Sequence, residues 1–464
     1  MRPGPSGVHL HRAGCAGLAV LLLAVGAAAS GPAVPEALLA EIGERSRDVA
    51  RRVVTWRRDF HAHPELSNRE FRTSARAAEV LRSLGLRVRT GIAATGVVGV
   101  LEGGRPGPTV ALRADMDALP VTEQTGLPFA SEIRTTYLGR EVGVMHACGH
   151  DAHTAMLLGA AEVLSGVRAE LPGSVLFVFQ PAEEGAPPGE EGGARRMLAE
   201  GAFADPRPIA VFGLHVVPQY EAGEIAWVSG GAMAGSDRLE ITVRGRQTHA
   251  AYPWLGVDAI AAAARIVLAL ESIPGRRMDA RVPQIVSIGA IHGGVRHNIL
   301  PEEVELLGTI RTLDPDLQAP LHEKIRSTAE RIAESADARA EVRIAVGYPV
   351  TWNDPELVER TLPALAWAAG AGRLRRGLPR TGAEDFAFFA QEVPGFYFWL
   401  GIRPPGVPEA QAAPNHSPRF TIDEAALPVG VRALAAVAAQ ALFERARGAA
   451  AQAESGGPTG SGPP

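Results

Sequence analysis

The feature that most constrains this chain is the alternation of short apolar runs with segments of helical period. Runs with strand-like character lie at 97–101, 110–116, 175–180 and 209–216, and helical segments such as 154–164 stand between them. The runs are apolar without clean alternation, which is typical of strands that helices cover on both faces. The chain is therefore predicted to form an α/β fold around a buried sheet.

A different order of elements begins at residue 237. The strand-like segment LEITVRG and a helix at 257–273 are followed by two strands, a second helix and a last strand. This β-α-β-β-α-β order is that of a ferredoxin-like unit. We therefore predict an α+β domain at 236–347, inserted between two parts of one catalytic domain at 36–235 and 348–446.

The two ends of the chain differ from the rest. Arg2 and Arg12 precede an apolar run at 16–29 that is short for a bilayer and ends in small residues. We interpret residues 1–30 as a cleaved signal peptide, which predicts a periplasmic or secreted protein without stable membrane insertion after cleavage. An uncleaved anchor and a misassigned start codon are the alternatives. After a final helix at 424–443, residues 447–464 have no apolar periodicity and are predicted to be disordered.

Composition excludes several classes of function. The net charge is −5, so no general attraction to nucleic acid or anionic membranes is expected. The single lysine, Lys324, lies in a charged helical segment, which argues against Schiff-base chemistry and a Walker phosphate loop. The cysteines are Cys15 and Cys148, so removal of the leader would leave one thiol and no disulfide within the chain.

Polar clusters follow several of the predicted strands, where sites form in open α/β sheets. Cys148 and His150 are two apart, so in an extended segment their side chains would project to the same side. Glu183 and Glu184 are adjacent and would point different ways, so that one could bind metal while the other faces substrate and water. This division fits metal-assisted hydrolysis. The clusters are RADMD, MHACGHDAH, QPAEEG, GLHV and NHSPRF.

Each cluster alone also has a plainer structural explanation. A strand-end histidine such as His215 is more often a hydrogen-bonded core residue than a ligand. The Cys-Gly-His string fits a buried thiol beside a turn, and the Asp-x-Asp string fits a helix cap. His416 fits an exposed loop position. Only the combination of clusters favours a metal site.

Nine blocks, in order between residues 57 and 427, resemble the amidohydrolase branch of the M20 metallopeptidase superfamily. That branch includes hippurate hydrolases, N-acyl-amino-acid aminoacylases and plant auxin-conjugate hydrolases. The resemblance implies a metal-dependent exopeptidase-like catalytic domain and a ferredoxin-like lid that also mediates dimerisation. The blocks are RRDFHAHPELSNRE, VALRADMDALPVTEQTGLPFAS, MHACGHDAHTAMLLGAA, FVFQPAEEG, FGLHVVP, HAAYPWLGVDAI, HNILPEEVELLGTIRT, GAEDFAFF and HSPRFTIDEAALPVG.

The resemblance also implies a role for each matching residue. Glu183 matches the general base, and Asp117 matches an acidic residue that orients a metal-site histidine. In the lid, His249 matches a histidine that polarises the scissile carbonyl, whereas Asn298 and Arg311 match residues that bind the substrate carboxylate. Two divalent ions, zinc or manganese and less typically cobalt or nickel, would be held by Cys148, His150, Glu184, His215 and His416.

The predicted activity is hydrolysis of N-acyl amino acids to a carboxylic acid and a free amino acid by a homodimer. Three alternatives stay open: a dipeptidase or carboxypeptidase of the same superfamily, a hydrolase with Cys148 as nucleophile and His150 as base, and a non-catalytic binding protein. Two segments depart from the family pattern. The loop at 185–194 is longer and more acidic, and Arg246-Gln247-Thr248 replaces a Gly-Gly pair.

Overall fold

The computed structural model describes residues 32–455 of the chain, and the predicted signal peptide at 1–30 lies outside them. The first helical region is divided at Val49 into two helices. The α-helices are α1 (Glu36–Asp48), α2 (Ala50–Ala62), α3 (Phe71–Ser83), α4 (His150–Gly166), α5 (Gly193–Ala199), α6 (Ala259–Arg276), α7 (Pro315–Glu334), α8 (Pro355–Ala369), α9 (Phe386–Glu392) and α10 (Leu427–Ser455).

The strands form one large sheet, one four-stranded sheet and three short ladders. They are β1 (Arg87–Ile92), β2 (Gly96–Glu102), β3 (Arg105–Asp115), β4 (Arg134–Tyr137), β5 (Arg140–Gly143), β6 (Pro172–Gln180), β7 (Val211–Glu221), β8 (Ile225–Trp227), β9 (Gly230–Met233), β10 (Gly235–Arg244), β11 (Thr248–His249), β12 (Gln284–Gly293), β13 (Ile299–Leu300), β14 (Glu303–Thr312), β15 (Arg339–Tyr348), β16 (Thr351–Asn353), β17 (Leu374–Arg376) and β18 (Gly395–Arg403).

The large sheet has the strand order β1-β2-β6-β3-β7-β18-β8-β17, and its central strands β6, β3, β7 and β18 are parallel. In β6, Val175, Phe177 and Phe179 pack into a core that includes residues of α1, α4 and α10. The alternate residues Leu176 and Val178 pack into a second core that includes residues of α5 and α9. Both faces of the strand are therefore covered, which confirms the predicted α/β class and explains why its sequence does not alternate.

The four-stranded sheet is antiparallel, with the order β12-β14-β10-β15. Leu239, Ile241 and Val243 of β10 pack with Ile266 of α6 and Ile325 of α7. The predicted β-α-β-β-α-β order and the ferredoxin-like unit are thus present. The domain boundaries, and the roles of this unit as lid and dimer interface, stay predictions.

The last helix differs from the prediction at its end. Disorder was predicted from residue 447, but α10 continues to Ser455, because the run after Arg447 is rich in alanine, the strongest helix former. Residues 456–464 lie outside the described part of the chain. The stretch Glu424–Arg447 is long and apolar enough to cross a membrane, yet 83% of its apolar window is buried inside the protein.

Candidate metal centre

The predicted ligands meet at the carboxyl ends of the parallel strands. Glu183 and Glu184 follow β6, His215 lies in β7, and His416 lies in the loop before α10. Together with Cys148 they border a cavity of about 630 Å³. This is the edge of an open α/β sheet at which ligands bind. The fold therefore brings residues far apart in the chain to one side of a single cavity.

Gly149 makes the turn that brings Cys148 and His150 together. Its φ is +97°, a conformation that L residues rarely adopt, and a Cβ atom there would lie 2.2 Å from Cγ2 of Val216. His150 is the first residue of α4. The extended segment predicted for this pair is wrong, because the chain turns left-handed into a helix, but the predicted proximity of the two side chains is correct.

Two histidines turn a ring nitrogen toward the cluster. His150 Nδ1 lies 2.8 Å from the carbonyl oxygen of Asp117, and His215 Nδ1 lies 2.8 Å from that of Val216. A carbonyl only accepts hydrogen bonds, so both Nδ1 atoms carry a proton and Nε2 faces the cluster, where that of His215 lies 3.3 Å from Cys148 Sγ. Burial lowers the pKa of His150, but the carboxylates of Asp115 and Asp117 outweigh it and raise that pKa to about 10, so an ion at Nε2 would displace a proton. The buried His150 Nε2 has no hydrogen-bond partner within the described chain, which is expected of an atom that ligates a metal.

Cys148 belongs to two overlapping groups of donor atoms, and within each group all atoms lie within 4.8 Å of one another. Glu183 Oε2 lies 4.0 Å from His150 Nε2, so the predicted base stands beside the ligands. The structure thus brings all five predicted ligands together, while their roles stay predictions. The first group contains Cys148, His150 and His215, and the second contains Cys148, Glu184 and His416.

The electrostatic environment of this cluster also favours the binding of cations. Burial, followed by the nearby carboxylates of Glu384 and Glu184, raises the pKa of Glu183 well above its usual value. Burial, followed by Glu184 and Glu183, likewise raises the pKa of the Cys148 thiol. Divalent cations act in the opposite direction, because they deprotonate a coordinating thiol and stabilise carboxylates. The residues present therefore fit divalent metal ions.

Asp117 has the contacts expected of a residue that orients a ligand. Its Oδ1 lies 3.2 Å from His150 Nδ1, in addition to the bond that its carbonyl accepts. Its Oδ2 accepts hydrogen bonds from Ser67 Oγ at 2.7 Å and from the backbone N–H of Glu184 at 3.0 Å. One carboxylate thus fixes both the ring of His150 and the backbone that presents Glu184.

His153 lies next to the ligands but is held as a structural residue. Its Nδ1 lies 2.6 Å from Asp115 Oδ1, and its Nε2 accepts a hydrogen bond from the backbone N–H of Val216 at 2.9 Å. Because Nδ1–H donates to the carboxylate of Asp115 and Nε2 accepts from the backbone N–H of Val216, neither nitrogen is free for an ion. These contacts distinguish His153, a structural residue, from His150, a predicted ligand. The MHACGHDAH string alone does not distinguish them.

A buried ionic network that was not predicted from the sequence lies beneath the predicted ligands. Arg113 is fully buried in β3 and donates to Asp115 at 2.7 Å, to Glu384 at 2.9 Å and to Asp385 at 3.0 Å. It also donates to Gln180 Oε1 at 2.8 Å. The sequence contains a signal for this network, because Arg113 lies within an apolar strand that is covered on both faces. An arginine in such a place needs buried acidic or polar partners.

The three residues predicted from the lid lie outside the cluster. Arg311 borders a neighbouring cavity of about 610 Å³, which shares Tyr348 and Ala383 with the cavity of the metal centre. His249 is exposed in the short β11–β13 ladder. The backbone carbonyl of Asn298 accepts a hydrogen bond from the backbone N–H of Ala250, the residue after His249. Within one chain, therefore, His249 and Asn298 are not brought to the ligands.

Comparison with known proteins gives consistent matches. The sequence profile of peptidase family M20/M25/M40 matches residues 111–440. Thermostable carboxypeptidase 1 of Saccharolobus solfataricus is 38% identical over 86% of this chain and 98% of its own length. N-acetylcysteine deacetylase of Bacillus subtilis is 37% identical over 83% of this chain and 96% of its own. The crystal structure of a dinuclear metal-binding peptidase of family M20 from Bacillus subtilis superimposes with a TM-score of 0.72 at 35% identity, over 86% of this chain and 99% of that one.

The geometry at Gly149 predicts a measurable loss of stability. Gly149→Ala should lower the free energy of unfolding by about 1–2 kcal/mol for the left-handed backbone and by about 1–3 kcal/mol more for the clash with Val216. Gly139→Ala is the matched control, because Gly139 has a φ of +74° but open space around it. Urea unfolding measures both variants. Equal losses would contradict the role assigned to the close contact at Gly149.

Proposed function

The chain belongs to peptidase family M20/M25/M40, and on this basis we propose that it is a metal-dependent amidohydrolase that cleaves N-acyl amino acids. The products would be a carboxylic acid and a free amino acid. The observation that carries the proposal is the cluster of thiol, imidazole and carboxylate donor atoms beside Glu183 at the border of an open cavity. The N-acetylcysteine deacetylase of Bacillus subtilis supports the choice of an acyl amide as substrate.

Two divalent ions would be held by Cys148, His150, Glu184, His215 and His416. When bound, such ions supply Lewis acidity, which lowers the pKa of water and polarises an amide carbonyl. The thiol and imidazole donors favour zinc, and imidazole sites also accept manganese, cobalt or nickel. The carbonyl of Asp117 and its Oδ1 keep the ring of His150 in the orientation that a ligand requires.

Glu183 is the residue that moves the proton. Its carboxylate borders the cavity and is otherwise buried, so that few competing solvent contacts reach it. In the reaction it takes a proton from the attacking water and returns that proton to the leaving amine. The hydroxyl of Tyr348 donates to the Glu183 carbonyl at 2.9 Å, which holds the backbone of the base in place.

A carboxypeptidase is the second candidate, because Thermostable carboxypeptidase 1 is 38% identical to this chain. Peptide and acyl-amide hydrolysis need the same ions and the same base, since both break an amide next to an amino acid that carries a free carboxylate. The difference lies in the group on the acyl side. Substrate preference, and not metal dependence, therefore separates the two candidates.

We further propose that the lid unit pairs two copies of the chain and that His249 acts on the partner's substrate. The backbone N–H of Ala251 donates to His249 Nδ1 at 3.0 Å, so the neutral ring carries its proton on Nε2, ready to donate to a carbonyl oxygen. Beside it lie the exposed side chains of Tyr252, Trp254 and Leu255, an apolar group suited to an interface. Asn298 and Arg311 would bind the substrate carboxylate in the assembled dimer.

The export of the protein is also a proposal. Residues 1–30 would be removed by signal cleavage, and the mature enzyme would act in the periplasm or outside the cell. Mass spectrometry of the purified protein from its natural host should find an N-terminus near residue 31. An intact Met1 would contradict cleavage.

The activity is tested on metal-stripped protein with zinc or manganese restored. N-acetyl, N-benzoyl and indoleacyl amino acids should release free amino acid in a metal-dependent manner, and Glu183→Gln should reduce turnover by about 10²- to 10⁴-fold with unchanged metal content. Glu191→Gln, an exposed position in the same loop, is the matched control and should retain activity. Release from dipeptides alone would favour the carboxypeptidase, and full activity of Glu183→Gln would contradict its role as base.

The dimer is tested by mixing two inactive variants, Glu183→Gln and His249→Ala. If His249 acts across the interface, a mixed dimer contains one site with an intact Glu183 and an intact partner histidine. Mixing under exchange conditions should then restore activity, and light scattering should give the mass of two chains. A monomer in solution, or no restoration on mixing, would contradict the assignment.

A further inference from the structure

Arg380 places an unpaired cation in the cavity of the metal centre. It borders the cavity together with Glu183, Glu184 and Trp399. Its guanidinium lies 5.1 Å from the ring centroid of Trp399, and Nη2 donates to Gln219 Oε1 at 3.2 Å. Within the part of the chain that the structure describes, it has this one side-chain hydrogen bond, to a neutral amide, and no carboxylate within 4.0 Å.

Other arginines around this edge of the sheet have acidic partners. Arg113 has three, Arg375 pairs with Glu224, and Arg403 lies 3.8 Å from Glu221. Arg380 is partly buried, and this burial lowers its pKa, although a guanidinium remains protonated at neutral pH. A partly desolvated charge without a counterion costs free energy. An anion that enters from the cavity would compensate that cost.

Arg380 lies along the cavity wall that β7 and β18 form. Trp399 is paired in register with His215, so it stands beside the metal centre. Along β7, Val217 and Gln219 follow His215 on the same face, toward the C-terminal end of the strand. Arg380, bonded to Gln219 and stacked on Trp399, therefore lies on the side of the cavity toward which β7 runs on from His215.

The α-carboxylate of the substrate has its proposed partners in Asn298 and Arg311, so Arg380 is left for another acidic group. The α-carboxylate is three bonds from the scissile carbonyl carbon and stays near the ligands when the amide is placed for hydrolysis. Another cavity of about 410 Å³ shares Glu184 with the first. Its lining includes the apolar residues Leu66, Leu119 and Pro187, and its cation Arg69 is already paired with Glu190. An amide held at Glu184 can thus direct its uncharged half into that cavity and its other half toward Arg380.

We propose that Arg380 binds a second carboxylate of the substrate, and that the enzyme prefers N-acyl amino acids bearing an acidic group in addition to the α-carboxylate. A guanidinium stacked on an indole is well suited to bind a carboxylate through two parallel hydrogen bonds. This inference rests on the proposed amidohydrolase activity. It makes Arg380 a specificity-determining residue and gives it no part in bond cleavage.

The test uses two pairs of nearly isosteric substrates, each with one acidic and one neutral member. N-benzoyl-glutamate and N-benzoyl-glutamine place the group on the amino-acid side, whereas 4-carboxybenzoyl-glycine and 4-carbamoylbenzoyl-glycine place it on the acyl side. In at least one pair, the acidic member should have a kcat/KM about tenfold or more above its neutral partner. The pair that shows this preference identifies which half of the substrate faces Arg380.

Variants then assign the preference to Arg380. Arg380→Met should abolish it, with a change of less than about threefold for the neutral member, while Arg380→Lys should retain part of it. Arg376→Met, at an exposed position on β17, is the matched control and should leave the preference intact. Activity on the neutral member reports that the cavity is folded, and Arg380→Gln replaces the methionine variant if that protein is unstable.

The outcomes separate this inference from the proposed function. Wild-type activity without a preference in either pair, or a preference that survives in Arg380→Met and Arg380→Gln, would overturn the role of Arg380 and leave the amidohydrolase intact. Inactivity of the metal-restored wild type on all four substrates and on the acyl panel above would overturn both.

Discussion

The structure depends on one electrostatic constraint, the concentration of electron-rich donors at the end of β6, β3 and β7. The imidazoles of His150 and His215 lie beside the thiol of Cys148 and the carboxylates of Glu183 and Glu184. Without cations such a group is repulsive, as the raised pKa values of Glu183 and Cys148 reflect. With divalent ions the same arrangement is attractive. The fold must therefore hold these donors together by other means until the ions bind.

The polar contacts beneath the donors do this. Arg113 donates to Asp115, Glu384 and Asp385, and all three of these ion pairs are buried in the core. Breaking such a buried network leaves unpaired charges, which is costlier than the loss of an exposed pair. Asn415 donates to the carbonyl oxygens of Cys148 and Val216, and so fixes the loop that carries His416 to the strand that carries His215. These hydrogen bonds join the chain segments that supply the predicted ligands.

Much of this could be predicted from the sequence because it depends on local pattern. Strands buried on both faces are apolar without alternation, and the change of order at residue 237 identifies the ferredoxin-like unit. The partners of single polar groups are long-range and leave no local pattern. His150 and His153 look equivalent in the sequence, and only the contacts to Asp117, Asp115 and Val216 distinguish them. The string Cys-Gly-His fits an extended segment and a turn equally well, so the left-handed backbone at Gly149 is visible only in the structure.

The metal centre and the cavities around it determine different properties of the enzyme. The proposed ligands and base do not distinguish a peptide from an acyl amide, and the relatives of this chain include both a carboxypeptidase and a deacetylase. Selection among amides must come from residues that border the cavities without binding the ions. Tyr348 and Ala383 line both the metal-centre cavity and the cavity of Arg311. Glu184 lines both the metal-centre cavity and the cavity of about 410 Å³ that contains Leu66. Because these cavities share walls with the reaction centre, a change in one wall can alter substrate choice while the donor atoms stay in place.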